Sequence, residues 1–338
     1  MKQDLSINID KKEDIDLSEK TTNCDFDIYS IQFINKTDVI EEVKDSYSGA
    51  LIYKVIRGKK IFFVKVFKEK LNIEKIKKSA SIYKELNIKS LDIIDFGKVD
   101  YTNQYYVVYN FIKGINLKEY TRSDKYSLKN VREFGTIIGK ELLKLKAYEN
   151  YDNHLFKADD IGMITKTAMK NFNTLLKQAT YQNIVFKYFS LEEIKKLNKE
   201  FVEYAGTFKD IEPKLIHGDI KRANIMVDQN NNFYITDIES MQVNYDALNV
   251  RYQITWSLFD GSEKEAEFIG GYFDGIYSGH RPNDFNYNIM FTIILNFFLE
   301  AYKKYKNSNI MEFETYISKC QKLFTKINKL DLNKEFII

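Results

Sequence analysis

Three oxygen-bearing side chains follow one another closely in the second half of the chain. Asp219 comes directly after His217 and Gly218, Asn224 lies five residues later, and Asp237 ends a β-branched run thirteen residues beyond Asn224. Phosphoryl transfer needs such a set: a carboxylate to orient and deprotonate a hydroxyl, and an Asn and an Asp to hold Mg2+. The short spacing lets one loop and one hairpin present all three. Asp219 alone is equally consistent with an ordinary Gly-Asp turn.

This stretch resembles the catalytic loop and metal-binding Asp of the aminoglycoside phosphotransferase and choline kinase superfamily, which shares the protein-kinase fold. The pattern is His-Gly-Asp-x-x-x-x-Asn, followed by Ile-x-Asp. Protein kinases usually carry His-Arg-Asp and Asp-Phe-Gly at these places. This chain instead has Gly218 in the loop and Glu239 two residues after Asp237. The balance therefore favours a small-molecule kinase.

The resemblance implies a role for each residue of the set. Asp219 would be the catalytic carboxylate, and Asn224 and Asp237 would bind Mg2+. Lys221 matches the Asp-x-Lys of protein kinases and would contact the γ-phosphate. His217 is expected to pack beneath the turn and to hydrogen-bond the backbone, which is a structural role.

Lys65 is the candidate for the nucleotide-binding lysine. It lies in the strand-like run 62–67, where alternation puts it on the face opposite Val64 and Val66. In the kinase fold a Lys on the third strand of the small lobe pairs with the nucleotide phosphates. A surface Lys on an edge strand is the alternative.

A helix is predicted over 74–86, and the resemblance implies that it carries an acidic partner for Lys65. The positions that align best with that acid are Ser79 and Ser81. Glu74 and Glu85 remain as substitutes, each one to two turns away. The sequence leaves open which acidic residue pairs with Lys65.

Two further segments are assigned to the nucleotide through the resemblance. The run from Ser46 through Ser48 and Gly49 precedes a strand and is similar to the phosphate-facing loop of aminoglycoside kinases. An ordinary hairpin turn is the alternative, since Ser46 stands where relatives usually have Gly. The run 105–114 resembles the hinge between lobes, so adenine would bond the backbone of Asn110 and Ile112.

Composition limits the class of protein. The chain has 338 residues, 44% hydrophobic and 15% aromatic, with 2 Pro and 14 Gly, which is typical of a packed and mostly helical globule. The richest apolar run, 289–299, is interrupted by Thr292 and Asn296, so it predicts a buried helix and not a membrane span. The net charge of +3 does not indicate a nucleic-acid partner.

Cysteine usage and the first residues bear on location. Cys24 and Cys320 lie far apart without a CxxC pattern, so neither a metal site nor a disulfide framework is indicated. The first residues lack the basic-then-apolar pattern of a secretory signal. We expect a reduced, cytoplasmic protein with no membrane and no nucleic-acid partner.

The expected architecture is a bilobal α+β, protein-kinase-like fold. Residues 1–27 are expected to form a polar, acidic extension, 28–111 a small nucleotide-binding lobe with an antiparallel sheet, and 112–338 a larger, mainly helical lobe. The strands predicted for the small lobe are Ile28–Ile34, Ala50–Ile56, Lys60–Phe67 and Gln104–Phe111. The helices predicted for the large lobe span 130–148, with further helices over 159–204 and 250–330.

The expected activity is transfer of the γ-phosphate of ATP, or GTP, to a hydroxyl of a small molecule. An amino sugar or aminoglycoside antibiotic is placed first; choline, ethanolamine or another small alcohol or sugar comes second. A protein kinase and a nucleotide-binding pseudokinase remain as further alternatives. If the acceptor is a cation, the acidic residues of the large lobe are expected to bind it, namely Glu239, Asp260, Glu263 and Asp274. A solvated helix face is the default explanation for any one of them.

Overall fold

A computed structural model describes residues 27–43, 50–67, 72–123, 125–157, 161–207, 212–246, 263–280 and 285–329. Its strands are β1 (Val39–Glu42), β2 (Leu51–Arg57), β3 (Lys60–Phe67), β4 (Ile93–Lys98), β5 (Tyr105–Asn110), β6 (Gly114–Asn116), β7 (Lys214–Ile216), β8 (Ile225–Asp228), β9 (Phe233–Ile235) and β10 (Gln242–Asn244). Its helices are α1 (Ile73–Glu85), α2 (Leu117–Tyr120), α3 (Leu128–Lys146), α4 (Ile161–Leu175), α5 (Ala179–Tyr188), α6 (Leu191–Thr207), α7 (Glu263–Tyr277), α8 (Phe285–Lys306) and α9 (Ile310–Lys329).

A five-stranded antiparallel sheet of order β1-β2-β3-β5-β4 forms the first part of the fold. Its two faces bury different side chains because strand residues alternate in direction. Val64 and Val66 pack with Ile31 and Ile34 on one face. Lys65 points to the opposite face, as the alternation predicts.

The strand predicted over Ile28–Ile34 is wrong. A 3-10 turn spans Ile28–Ser30, and the side chain of Asp27 caps it by accepting a hydrogen bond from the N–H of Tyr29 at 3.0 Å. Ile31 and Ile34, three residues apart, are then buried against the sheet. The apolar residues of this segment therefore cover the sheet instead of joining it.

The other strands predicted for the small lobe, and its helix, are confirmed to within about a residue. β2, β3 and β5 match the runs 50–56, 60–67 and 104–111, and α1 matches the predicted helix 74–86. Asn72 caps α1 by accepting from the N–H of Lys75 at 3.0 Å. The inner face of α1 buries Ile76, Ser79, Ile82 and Tyr83.

Two long helices, α3 and α7, pack together with almost no space between their backbones. A Cβ atom at Gly271 would lie 1.9 Å from the carbonyl oxygen of Arg132, and one at Gly139 would lie 2.1 Å from that of Tyr272. Glycine is needed at these positions because any side chain would push the helices apart. This contact holds α7 closely against α3.

The apolar run 289–299 lies within α8, and its residues from Ile289 to Phe298 are buried. The two polar interruptions are accommodated inside the core: Thr292 shares a 2.7 Å hydrogen bond with the Tyr204 hydroxyl, and Asn296 is 5% exposed. Among the helices of the described residues, none combines the length and the apolar character needed to cross a membrane.

Two small antiparallel sheets carry the residues of the candidate site. β7 pairs with β10, and β8 lies between β6 and β9. A parallel bridge between Ser90 and Ile235 joins the segment after α1 to β9. The 3-10 turn Ile28–Ser30, the five-stranded sheet and α1 precede residue 111, and the other strands and helices of the described residues follow it. The division into lobes at that residue stays a prediction.

Candidate active site

The loop from β7 to β8 holds Asp219 in place through its neighbours. Gly218 has φ +90°, a conformation that disfavours residues with a side chain. A Cβ atom there would also lie 2.2 Å from the carbonyl oxygen of Ser240. This close approach requires a glycine at the middle position of the His-Gly-Asp sequence.

His217 is fully buried and has a structural set of hydrogen bonds. Its Nδ1 accepts from the N–H of Asp219 at 3.2 Å, so its Nε2 carries the proton and donates to the carbonyl of Thr236 at 2.8 Å. Burial lowers the pKa of His217, which keeps the ring neutral near pH 7. The ring thus joins the loop to the end of β9.

Asp219 and Asn224 are held together within the loop. The amide nitrogen of Asn224 donates to the carbonyl of Asp219 at 2.8 Å and to its Oδ2 at 3.0 Å. Lys221 Nζ lies 2.6 Å from the same Oδ2. Asp219, Lys221 and Asn224 therefore form one cluster.

The hairpin brings Asp237 to this cluster. The carbonyl of Asn224 accepts from the N–H of Thr236 at 2.9 Å and from its hydroxyl at 3.0 Å. Asp237 follows in a left-handed conformation with φ +62°. Its Oδ2 lies 3.5 Å from the amide nitrogen of Asn224. The two residues proposed to bind metal thus lie side by side.

Lys65 reaches this cluster from β3. Its ammonium lies 2.5 Å from Asp237 Oδ1 and also contacts the carboxylate of Glu239. The side chain of Lys65 is only 8% exposed, so both ion pairs form with little solvent between them. Neither Glu74 nor Glu85 is an ion-pair partner of Lys65 within the described residues, and Glu85 instead accepts a hydrogen bond from the Tyr148 hydroxyl at 2.9 Å.

The pKa values in this trio follow from burial and charge. Burial lowers the pKa of Lys65, but the carboxylates of Glu239 and Asp237 reverse this effect and raise it above the usual value. Burial raises the pKa of Asp237, yet contact with Lys65 outweighs this and the pKa is lowered. Burial raises the pKa of Glu239, and Lys65 offsets that only in part. One ammonium thus serves two carboxylates.

Glu239 is the residue whose position the sequence did not indicate. It was expected among the carboxylates that bind a cationic acceptor, but its side chain is 12% exposed and contacts Lys65. It lies on a 3-10 turn, Ile238–Ser240, against which α1 packs. Its spacing of two residues from Asp237 was the available signal, since such a residue cannot lie far from the lysine that Asp237 contacts.

The remaining candidates have other partners, are exposed, or lie outside the described residues. Asn110 ends β5, where its N–H donates to the carbonyl of Asp92 at 3.0 Å, and Ile112 follows it. Glu263 is exposed in the first turn of α7. Asp274, further along α7, forms an ion pair with Arg132 at 2.8 Å. The candidates that lie outside the described residues are Ser46, Ser48, Gly49 and Asp260.

The oxygen donors suit Mg2+. Hard cations prefer carboxylate and amide oxygens, and Mg2+ is often bound by one or two carboxylates together with substrate phosphates. The two carboxylates beside Lys65 leave one negative charge without a cationic partner in the trio, which favours a cation there. Within the described residues no group of three or more His, Cys, Asp or Glu is arranged to hold a metal. The assignment of Mg2+ to Asn224 and Asp237 stays a prediction.

Sequence comparison finds no relatives: no protein-family model matches the chain, and no curated protein matches it. The fold, in contrast, is shared with many solved structures. The chain has the α+β kinase-like fold, as the sequence predicted.

Three solved structures illustrate the likeness. A spectinomycin phosphotransferase, APH(9)-Ia, in complex with ADP and spectinomycin, has a TM-score of 0.60 and 12% identity over 86% of this chain and 93% of its own. An ADP-bound aminoglycoside phosphotransferase, APH(2'')-Ib, has a TM-score of 0.59 and 15% identity over 88% of this chain and 99% of its own. An ethanolamine kinase of Plasmodium vivax has a TM-score of 0.55 and 16% identity over 89% of this chain and 88% of its own. At these identities the likeness establishes the fold.

Proposed function

We propose that this protein is an ATP-dependent kinase that phosphorylates a hydroxyl of a small molecule. The observation that carries the proposal is the convergence of Lys65, Lys221, Asp219, Asn224 and Asp237, from a strand, a loop and a hairpin, into one cluster. Similar structures contain ADP, which supports nucleotide binding by this fold.

In the proposed reaction Asp219 orients the acceptor hydroxyl and takes its proton. The acceptor oxygen then bonds to the γ-phosphorus while the bond to the β-phosphate oxygen breaks, so that ADP leaves. Lys65 holds the α- and β-phosphates, and Lys221 stabilises charge on the γ-phosphate. Mg2+ held by Asn224 and Asp237 would supply neutralising charge. Positioning and charge stabilisation account for most of the acceleration.

The nucleotide is proposed to lie beside β5 and the segment after it. Adenine would bond the backbone of Asn110 and Ile112. Because the N–H of Asn110 already donates to Asp92, the proposal at that residue rests on its carbonyl oxygen. The phosphate-facing role of Ser46, Ser48 and Gly49 is kept as part of the proposal.

The proposal extends to the chemical class of the acceptor. We place amino sugars and aminoglycosides first, because structural neighbours include a spectinomycin phosphotransferase and other aminoglycoside phosphotransferases. Small amino alcohols come second, since an ethanolamine kinase is also among the neighbours. The pseudokinase alternative rested partly on the missing helix acid, and Glu239 supplies a carboxylate to Lys65 in its place.

The test is release of ADP from MgATP, or of GDP from MgGTP, by the full chain, with a panel of aminoglycosides, spectinomycin, choline, ethanolamine, simple sugars and a generic protein substrate. Acceptor-dependent release that is lost in Asp219→Asn supports the proposal and names the class. Nucleotide binding without release for any acceptor would favour the pseudokinase. Phosphorylation of the protein substrate alone would overturn the small-molecule assignment.

A further inference from the structure

Arg222 lies in the loop between Asp219 and Asn224, yet its side chain is buried and is held away from the cluster. The residue is 4% exposed and begins the 3-10 turn Arg222–Asn224. A buried arginine in a loop requires partners, because an unpaired guanidinium is costly to remove from water. Its partners are on α7 and just after α2.

Glu265, in the first turn of α7, binds both the backbone and the side chain of Arg222. Its Oε1 accepts from the N–H of Arg222 at 3.2 Å, and its Oε2 accepts from Nε at 2.8 Å. A carboxylate that contacts two groups of one residue fixes the orientation of that residue as well as its distance. The carboxylate of Glu265 is itself only 13% exposed.

Thr121, directly after α2, completes the arrangement. The Nη1 of Arg222 donates to the Thr121 hydroxyl at 2.9 Å, and that hydroxyl donates to the carbonyl of Leu117 at 2.6 Å. Lys264, next to Glu265, donates to the carbonyl of Thr121 at 2.8 Å. The start of α7, the end of α2 and the loop are therefore joined by one network of charge-assisted hydrogen bonds.

The network connects to the reacting groups through the 3-10 turn. Asn224 ends that turn, and its amide nitrogen holds the carboxylate and the carbonyl of Asp219 at 3.0 and 2.8 Å. A shift of Arg222 would therefore move Asn224, and with it Asp219. Glu263, the exposed acid proposed to meet a cationic acceptor, lies two residues from Glu265 on the same helix turn.

We propose that Arg222 and Glu265 are a positioning pair that sets the distance between the catalytic carboxylate and the acceptor-binding end of α7. This inference rests on the proposed function and deepens it. It assigns to the pair the alignment of the hydroxyl with Asp219, not the binding of nucleotide. Loss of alignment by about 1 Å can slow a reaction by about 100-fold.

The alternative is that the pair only stabilises the fold. The double variant Arg222→Met/Glu265→Leu separates the two, because apolar replacement of a buried ion pair often leaves stability unchanged. Glu265→Gln, which keeps the shape, and Arg222→Lys, which keeps the charge but not the fork of donors, accompany it. Glu314→Gln is the matched control, since Glu314 pairs with Lys187 at 2.5 Å on an exposed surface between α5 and α9.

Two measurements on the full chain decide the outcome. The first is steady-state kinetics, which gives kcat and KM for each substrate; the Kd of ADP and the Tm are measured beside it as checks on binding and folding. The second is hydrogen exchange at two loop amides, the N–H of Asp219, which donates to His217, and the N–H of Asn224, which donates to the carbonyl of Lys221 at 3.0 Å.

In the double variant we expect kcat to fall about 10-fold to 100-fold and both amides to exchange faster, with the Tm and the ADP Kd close to wild type. Arg222→Lys should recover part of the rate, and Glu314→Gln should change neither measurement. Wild-type kcat and wild-type exchange in the double variant would overturn the positioning role while leaving the proposed function intact. If the wild-type protein transfers phosphate to no acceptor, the proposed function fails. Hydrogen exchange still tests the pair in that case: wild-type exchange at the Asp219 and Asn224 amides of the double variant would overturn the positioning role.

Discussion

The ammonium of Lys65 lies 2.5 Å from Asp237 Oδ1 and also contacts the carboxylate of Glu239, so one buried cation faces two acids. The resemblance to kinases implied an acid on α1 as the partner. Here the second acid comes from the hairpin that also carries Asp237. Lys65 is thus tied to that hairpin through both acids.

Replacement of Lys65 should destabilise the free protein as well as abolish turnover. Lys65→Met leaves the half-buried carboxylates of Asp237 and Glu239, 23% and 12% exposed, without the ammonium that they contact. We expect the free energy of unfolding to fall by up to about 3–5 kcal/mol, the loss found for a fully buried pair. Adding Glu239→Gln should recover part of that stability but none of the activity. Urea unfolding without nucleotide measures the stability of the single and the double variant, and acceptor-dependent ADP release measures their activity.

Lys54→Met is the control for Lys65→Met. Lys54 lies on the neighbouring strand β2 and pairs with Glu41, which is 53% exposed. Exposed pairs contribute about 0–1 kcal/mol, so this variant should unfold nearly as wild type does. Equal losses from the two variants would contradict the burial argument.

Asp219→Asn should separate chemistry from binding. The amide keeps hydrogen-bonding capacity toward Asn224 but cannot accept the hydroxyl proton, so we expect phosphoryl transfer to fall about 100-fold to 10,000-fold. The Kd of ADP should stay unchanged, whereas Asp237→Asn should weaken binding of MgATP. Asp228→Asn, on the same hairpin but bound to the turn residue Asn232, should transfer phosphate normally. Mild and equal losses from Asp219→Asn and Asp237→Asn would count against the assigned roles.

Two glycine substitutions should have opposite effects on stability, because one glycine lies in the contact between α3 and α7 and the other faces open space. Gly271→Ala puts a methyl group 1.9 Å from the Arg132 carbonyl, so the helices must separate and we expect a loss of at least about 1–3 kcal/mol. Gly206→Ala, on α6, meets no atom within 4 Å and should stabilise by about 0.4–1 kcal/mol through reduced freedom of the unfolded chain. Thermal unfolding of the two variants tests this; the same sign for both would refute it.

Patterns of local sequence predicted the strand, the loop and the hairpin that carry the candidate site. The alternation in β3 placed Lys65 opposite Val64 and Val66, and that is where it lies. The spacing of Asp219, Asn224 and Asp237 matched a loop and a hairpin, because both motifs depend on neighbours in the chain. Such features carry their own signal, since strand period and turn residues are local.

Features that depend on distant segments were not predicted. Strand β1 (Val39–Glu42) is short and largely exposed, and β4 (Ile93–Lys98) contains an irregularity between Ile93 and Asp95, so neither shows a clear alternation. The contact of Glu239 with Lys65 joins residues 174 positions apart. The burial of Arg222 depends in the same way on Glu265, 43 residues away. Only the packed chain brings these partners together.

Protonation of His217 should destabilise the protein as the pH falls. Burial lowers its pKa in the folded state below the ordinary 6.5, so the unfolded chain binds a proton that the folded chain does not. The contribution of neutral His217 to the free energy of unfolding is therefore fully present above pH 6.5 and is lost progressively below it. We expect the Tm contribution of His217 to be level from about pH 8 to about pH 7 and to be lost from there to about pH 5.5, so that the Tm falls less in His217→Asn. His280→Asn, at an exposed site, should keep the full wild-type slope; a matching reduction there would remove His217 as the cause.

The last prediction concerns the acids of α7 and a cationic acceptor. Glu263 is exposed in the first turn, whereas Asp274 is engaged with Arg132 at 2.8 Å, so only the former has an exposed carboxylate to meet a substrate. Once the bound acceptor shields Glu263 from water, a charge-assisted bond to its cation contributes about 1.5–3 kcal/mol, so Glu263→Gln should raise the acceptor KM about 10-fold to 100-fold with the ATP KM unchanged. Asp274→Asn should instead lower the Tm, because it leaves Arg132 with less compensating charge. Steady-state kinetics with each substrate varied in turn measure both variants. A raised acceptor KM in Asp274→Asn and none in Glu263→Gln would move the acceptor site away from the start of α7.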